Sequence, residues 1–200
     1  MKKMVLIVCI LLMVILPGCA ADEAVYIQNE DPITVLQEET VVITDSFHEA
    51  IENGNAYHVL QYMDLALGDV LDVQIVTGSM PVHFFMDFSV ESEMSWDFYE
   101  NVTINNTGTP ANIVNLLRSS DQVSTVNVYS IVNPDVAEAN IDTDNSSAMN
   151  IGYGIIGAGK DSGLQAHERE ITLKPGTEYS MRFVAAAAGY ITYHIEWFEE

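Results

Sequence analysis

The C-terminal segment 171–200 constrains the fold more than any other part of the chain, because apolar and polar side chains alternate along it. A period of two residues is typical of a β-strand that buries one face. Pro175 and Gly176 predict a turn before the first of two such strands, since glycine accepts the positive φ that a tight turn needs. Two antiparallel strands with one apolar face need another sheet to cover it, so the segment favours a β-sandwich. The apolar positions are Tyr179, Met181, Phe183 and Ala185, then Ile191, Tyr193, Ile195 and Trp197.

Most of the remaining chain repeats this alternation or is rich in the aromatic and β-branched residues that favour strands. We therefore predict an all-β protein, a single β-sandwich or jelly-roll-like domain of roughly 8–10 antiparallel strands. Outside the C-terminal segment, two short strands are predicted within 33–43. Further strands are predicted at 57–63, 70–77, 82–90, 96–102 and 123–132.

Three segments depart from the alternating pattern. Residues 46–54 end in a tight-turn signal and predict a strand or turn. Pro110 predicts the start of a brief helix whose apolar residues share one side. The glycine-rich segment 151–159 predicts a flexible connection between strands.

The N-terminus carries the signature of an exported protein. Lys2 and Lys3 precede an uncharged apolar run, 4–16, which is too short for a membrane-spanning helix of about 20 residues. Residues 16–19 read Leu-Pro-Gly-Cys and resemble a lipobox, whose cysteine takes a diacylglycerol before the leader is cleaved. We predict lipidation at Cys19; an ordinary signal peptide and a retained anchor are the alternatives.

The leader divides the chain into three predicted parts. These are a signal peptide over 1–18, an acidic tether over 19–31 and a sandwich domain over 32–200. Cys9 lies in the leader and Cys19 is the acylation candidate, so the mature chain has no cysteine pair for a disulfide.

The chain is strongly acidic, with 29 Asp and Glu residues against 7 Lys and Arg and a formal net charge of −22. Such a surface repels nucleic-acid phosphates and anionic lipid headgroups. We therefore expect no nucleic-acid partner, and contact with a membrane only through a lipid on Cys19.

The glycine-rich segment invites comparison with two phosphate-binding motifs. Gly152, Gly154 and Gly157 fit the dinucleotide fingerprint, and the stretch up to Lys160 approximates a P-loop. A P-loop needs a hydroxyl directly after the lysine, where Asp161 stands instead, and both motifs need a helix after the loop. The pattern therefore predicts a connecting segment and no bound cofactor.

A calcium loop is the one metal site that the sequence suggests. Asp142, Asp144 and Ser146 mimic its first three ligand positions, but Ser147 and Tyr153 replace its glycine and its bidentate glutamate. We predict at most loosely bound Ca²⁺ at these three residues, or a solvated acidic loop.

No sequence motif indicates an enzyme. His48 and Glu49 do not begin an HExxH motif, because Glu52 stands where the second histidine belongs. The chain has no GxSxG elbow and no mature cysteine to act as a nucleophile. We expect a protein that is not an enzyme.

A series of short motifs runs in order through residues 45–200. The motifs are His48-Glu49, Gly54, Tyr57, Arg118, Gly157 to Asp161, Arg169-Glu170-Ile171-x-Leu173-Lys174, Tyr179-x-x-Arg182, Ala187-Ala188-Gly189-Tyr190-Ile191 and Glu196-Trp197-Phe198-Glu199. In their order and spacing they resemble a widespread family of tailed-phage virion structural proteins, and the C-terminal motifs match best. Phe198 and Glu200 depart from the Trp-Tyr-Glu-His ending that is common in the family.

The resemblance implies a β-sandwich protein of a particle surface, a capsid decoration or fibre-like component without catalytic residues. We expect it to form homo-oligomers, with a trimer favoured, and to contact neighbouring virion or envelope proteins. The aromatic residues exceed what one core face needs, so some of them are predicted to lie in a subunit interface. The interface or binding candidates are Phe84, Phe85, Trp96, Phe98, Tyr99 and Trp197.

The exported leader conflicts with virion assembly in the cytoplasm and keeps a second hypothesis open. The chain would then be a lipid-anchored protein of the cell envelope that binds a glycan or a receptor through its loops. The neighbourhoods 96–99 and 152–159 are the candidates for that binding. A virion surface is the expected location if the leader is not used.

Overall fold

The computed structural model describes residues 33–36, 40–43, 46–133, 140–144, 146–163 and 170–200. The leader, the tether and Arg169 lie outside these residues. The helix is α1 (Ser46–Glu52). The strands are β1 (Ile33–Leu36), β2 (Thr40–Ile43), β3 (Ala56–Leu65), β4 (Val70–Val76), β5 (Val82–Val90), β6 (Met94–Glu100), β7 (Thr103–Ile104), β8 (Thr109–Pro110), β9 (Val114–Asn115), β10 (Asn127–Asn133), β11 (Ile141–Asp142), β12 (Met149–Ile156), β13 (Lys160–Gly163), β14 (Ile171–Leu173), β15 (Glu178–Ala185) and β16 (Gly189–Glu199).

The chain divides into two compact units, residues 1–45 and 46–200. In the first unit, β1 and β2 form an antiparallel pair with Ile33 opposite Ile43. This pair confirms the two strands predicted within 33–43.

The second unit is an antiparallel β-sandwich, which confirms the predicted fold class. Sheet I has the strand order β12-β6-β15-β4-β10-β8, and sheet II has the order β13-β5-β16-β3-β9, with β14 also paired to β5. The two-stranded sheet β7–β11 is separate from both.

The C-terminal strands supply the centres of the two sheets. All eight apolar positions predicted from the alternation in 171–200 are buried, and Gly176 takes the predicted positive φ of 61°. The two strands do not pair with each other, however. β15 lies between β4 and β6 in sheet I, whereas β16 lies between β3 and β5 in sheet II.

A short helix replaces the strand or turn predicted at 46–54. Phe47, Ala50 and Ile51 have the i, i+3, i+4 spacing of one helix face, and the first two are buried. Phe47 packs edge-on against Phe85, with ring centroids 5.5 Å apart. The helix thus covers a small second cluster of apolar residues on the outer face of sheet II.

The helix predicted from Pro110 onward is also wrong, because strands β8 and β9 form there. The backbone amides of this segment donate to other strands: Ala111 N to Val128 O at 2.8 Å, and Leu116 N to Ala56 O at 2.9 Å. Asn115 fixes the turn that follows, since its Oδ1 accepts a hydrogen bond from Leu117 N at 2.8 Å. Tertiary pairing therefore overrides the local helix signal.

Candidate functional site

Three of the six aromatic interface candidates lie inside the sandwich. Phe84, Phe98 and Trp197 are fully buried in the main core. Phe84 and Phe98 stack across the two sheets with centroids 5.9 Å apart. These three side chains therefore stabilise the subunit and are not exposed for docking, which corrects the interface prediction for them.

The other three candidates lie nearer the surface. Phe85 is buried beneath α1, against Phe47 and Phe198. Trp96 is half-buried at the margin of the core and contacts Phe88 at a centroid distance of 5.4 Å. Tyr99 is half-buried on the outer face of sheet I. Only Trp96 and Tyr99 thus border the surface, and both belong to β6.

Residues 151–156 of the glycine-rich segment belong to strand β12, which corrects their prediction as a flexible connection. Residues 157–159 form the turn that leads to β13. β12 pairs with β6, so the two neighbourhoods proposed for binding, 96–99 and 152–159, lie side by side. Strand β13, not a helix, follows β12 in the chain. A helix N-terminus that would meet a phosphate is therefore missing from this part of the described structure.

The glycines of β12 make room for the Trp96 indole. A Cβ at Gly154 would lie 2.8 Å from Trp96 Nε1, and a Cβ at Gly152 would lie 3.3 Å from the nearest ring carbons. Real Cβ atoms essentially never make a contact as short as the 2.8 Å at Gly154, so the Trp96 indole must shift if Gly154 gains a side chain. The Gly-x-Gly pattern therefore serves packing at the margin of the core.

Replacing Gly154 with alanine is expected to lower the free energy of unfolding by about 1–3 kcal/mol, the usual range for overpacking. Gly152→Ala is the matched control, because its Cβ meets only a marginal contact and alanine removes backbone freedom from the unfolded chain. Urea denaturation of both variants measures the difference. Equal losses in the two variants would contradict a specific role for Gly154.

The outward face of β12 is apolar and exposed. Tyr153 and Ile155 are 80% and 74% exposed, and Met149 is exposed at the start of the strand. Among the described strands, β12 is the terminal strand of sheet I and pairs within it with β6 alone. We call this strand, with its outward side chains Tyr153 and Ile155, the open edge.

The open edge carries no charge in an otherwise acidic chain. No Asp, Glu, Lys or Arg occurs from Met149 to Gly159, although the formal net charge of the chain is −22. Terminal strands present unpaired backbone groups, and folded proteins usually protect them with charged side chains or proline. An exposed apolar strand without such protection is a surface suited to pairing with another chain. Sequence reasoning missed it because the glycines indicated a loop.

Polar groups border the open edge on the outer face of sheet I. Asn150 Nδ2 donates a hydrogen bond to Asp97 Oδ1 at 2.8 Å. Burial, followed by the charge of Asp97, raises the pKa of the neighbouring Tyr99, so its phenol stays protonated at neutral pH.

A buried ion pair lies further into the same face. Arg182 Nε is 2.8 Å from Asp72 Oδ1, and the Asp72 side chain has no exposed surface. Burial by itself would lower the pKa of Arg182, but its hydrogen bonds to Asp72 and the Asp72 charge raise it overall. Asn140 Nδ2 also donates to Asp72 Oδ2 at 3.3 Å. The Asp72 carboxylate is closed off from solvent, Arg182 is mostly buried, and the pair fixes β15 to β4.

Loop segments cover the centre of sheet I. Gln74 is fully buried; its Nε2 donates to Asn106 O at 2.7 Å, and its Oε1 accepts from Gly108 N at 3.1 Å. The outer face is therefore covered near β4, whereas the open edge lies at the uncovered β12 side.

The predicted calcium ligands lie in and after β11. Asp142 belongs to this strand, and its Oδ1 accepts a hydrogen bond from Asp144 N at 2.9 Å. Ser146 is exposed in the turn that follows. Among the residues that the structure describes, no three His, Cys, Asp or Glu side chains already converge on one metal position. Ca²⁺ binding at Asp142, Asp144 and Ser146 stays a prediction.

Three histidines, His58, His83 and His194, lie in two clusters of polar side chains in the described structure. His83 Nδ1 pairs with Glu170, and its Nε2 is 3.2 Å from Glu200 Oε2. On the outer face of sheet II, His58 Nδ1 and His194 Nε2 are only 3.3 Å apart. Burial, followed by the neighbouring His194, lowers the pKa of His58.

Comparison with protein-family models, curated proteins and solved structures finds no match to this chain. The similarity to phage virion proteins therefore stays a prediction from the motifs. In the described residues, no helix is long and apolar enough to cross a membrane.

Proposed function

We propose that this is a non-enzymatic structural protein of a virion or cell-envelope surface, which works by associating with further copies of itself. The open edge is the observation that carries the proposal. Two copies would pair their β12 strands antiparallel, which satisfies the unpaired backbone groups of both terminal strands. Tyr153 and Ile155 of each copy would add apolar contacts.

Electrostatics favours the open edge as the place of contact. Copies of a chain with a formal charge of −22 repel each other over most of their surface. The stretch 149–159 contains no charged residue, so it adds little like-charge repulsion when two copies approach through it. A second copy is therefore the occupant that this surface fits best.

The subunit number depends on what each open edge meets. Pairing of β12 with β12 is isologous and yields a dimer. The trimer expected from the resemblance requires each open edge to meet a different surface of the next subunit. Location follows from the leader, because a lipid on Cys19 would hold the assembly at the envelope.

Replacing both Tyr153 and Ile155 with lysine is expected to convert the oligomer to monomer, because the new charges face each other across the contact. Light scattering coupled to size exclusion, over a range of protein concentrations, measures the subunit number. The matched control replaces Leu67 and Val123 with lysine, since both are exposed apolar residues outside the open edge. The control makes the same change in net charge and should remain oligomeric.

Two outcomes would overturn the proposal. One is a wild-type protein that remains monomeric at the highest concentration, and the other is an edge variant that keeps its full subunit number. Circular dichroism of each variant shows whether the fold is retained.

Glycan or receptor binding by an envelope lipoprotein is the second candidate function. The exposed Tyr153 ring beside the Asp97–Asn150 hydrogen bond favours it, because an aromatic face next to polar groups suits a sugar ring. A glycan array distinguishes the candidates: binding by wild-type monomer that Tyr153→Ala abolishes would support this function over self-association.

A further inference from the structure

Three strands of sheet II bring four side chains that commonly bind metals to neighbouring positions on its outer face. His58 of β3 lies directly opposite Glu196 of β16, and His194 of β16 lies directly opposite Asp87 of β5. In a strand, residues two apart point to the same face, so His194 and Glu196 are side by side. We call these four residues the histidine patch.

The spacing of the donor atoms fits a metal ion. His58 Nδ1 is 3.3 Å from His194 Nε2, and His194 Nε2 is 3.5 Å from Glu196 Oε1. Two nitrogen ligands about 2.0–2.1 Å from a tetrahedral zinc ion are about 3.3 Å from each other. The two imidazoles therefore already have the separation of a chelating pair.

The histidine patch is also accessible to solvent. The side chains of His194 and Glu196 are 32% and 28% exposed, so an ion can reach them from solvent. Both ring nitrogens of His83, in contrast, face carboxylates, Glu170 and Glu200. His83 therefore has no nitrogen free for a metal and offers an internal control.

We propose that His58 and His194 chelate a divalent first-row transition metal ion of the Zn²⁺ type, with Glu196 as the third protein ligand. Imidazole nitrogens select such ions over Mg²⁺ and Ca²⁺, which prefer oxygen ligands. Three ligands do not yet converge in the described structure, so the Glu196 carboxylate rotates toward His58 on binding. Water completes the tetrahedron.

The surrounding charges favour a cation on balance. Asp87 adds a second carboxylate beside His194, and the acidic chain as a whole raises the local concentration of cations. Arg118 is the opposing charge close to His58. The proposed metal site is independent of the open edge, because the histidine patch lies on sheet II and the open edge lies on sheet I.

Isothermal titration of the full chain with ZnCl₂, and with MgCl₂ and CaCl₂ in parallel, tests the proposal. We expect one saturable Zn²⁺ site per chain. His58→Ala and His194→Ala should each weaken it by at least about tenfold, the lower range for loss of groups that support a metal site. His83→Ala is the matched control and should bind as the wild type does.

The visible absorption of bound Co²⁺ provides a second readout, which does not depend on the stability of the fold. Co²⁺ in a tetrahedral site of nitrogen and oxygen ligands has visible absorption bands, which Glu196→Gln should change and His83→Ala should not. The proposal is overturned if wild-type protein shows no saturable Zn²⁺ binding, or if His83→Ala weakens binding as much as His194→Ala does.

Discussion

Replacing Arg182 with methionine is expected to lower the free energy of unfolding by about 3–5 kcal/mol, the usual result of removing one partner of a buried ion pair. The methionine fills a similar volume but leaves the Asp72 carboxylate without its counter-ion. That carboxylate has no exposed surface, and Asn140 Nδ2, at 3.3 Å, supplies only a neutral hydrogen bond. An uncompensated buried charge must then be desolvated or protonated for the chain to fold.

A double variant separates the charge effect from lost packing. Asp72→Asn combined with Arg182→Met removes the buried charge and keeps an acceptor for Asn140, so it should regain most of the lost stability. Urea denaturation at neutral pH measures all three proteins, provided that the slope of the transition is unchanged. A loss below about 1 kcal/mol in Arg182→Met would show that the pair behaves like an exposed one.

The Arg182–Asp72 ion pair explains one residue of the motifs that resemble those of phage virion proteins. Arg182 belongs to the motif Tyr179-x-x-Arg182. In the structure it pairs with a residue of β4 that is 110 positions away in the chain. A role in holding β15 to β4 explains the arginine without any binding partner.

Periodicity predicted which face of each strand is buried, but not which strand it pairs with. Alternation in 178–185 and 189–199 is a local property, and the buried residues of both strands follow it. The choice between pairing with each other and joining opposite sheets depends on β3 to β6, which are distant in sequence. Register of this kind is not contained in a local pattern.

Local signals failed where two principles compete. Glycine weakens strand propensity, yet Gly154 is required in β12 by the Trp96 indole that lies across it. Phe47, Ala50 and Ile51 have helical spacing, but the turn signal at Asn53 and Gly54 dominated the prediction. In both cases a contact with a distant residue decides the structure.

The histidine patch and the open edge could not be predicted from the sequence, because each depends on contacts between residues that are distant in the chain. His58 and His194 are 136 positions apart in the chain, so only the pairing of β3 with β16 brings them together. The open edge depends on β12 being the last strand of sheet I. The neighbourhoods 96–99 and 152–159 were proposed separately, and their pairing as β6 and β12 could not be foreseen from either.

Trp197→Ala is the second variant with a large expected effect, again a loss of about 3–5 kcal/mol in the free energy of unfolding. The side chain is fully buried in the main core and stacks on Tyr57 with centroids 5.8 Å apart. Truncation leaves a cavity and also removes the indole N–H, which lies 3.2 Å from Ser124 Oγ. The cavity accounts for most of the loss.

The Trp197 variants also separate a core role from an interface role, since this residue was an interface candidate in the sequence. Trp197→Phe keeps most of the ring volume and should lose less stability than Trp197→Ala, in proportion to the smaller cavity. Under conditions in which the variants remain folded, light scattering should give the wild-type subunit number for both, because assembly is proposed to use Tyr153 and Ile155 of the open edge. If Trp197→Ala instead dissociates the oligomer while its unfolding transition stays at the wild-type urea concentration, Trp197 contributes to the interface and the burial argument fails.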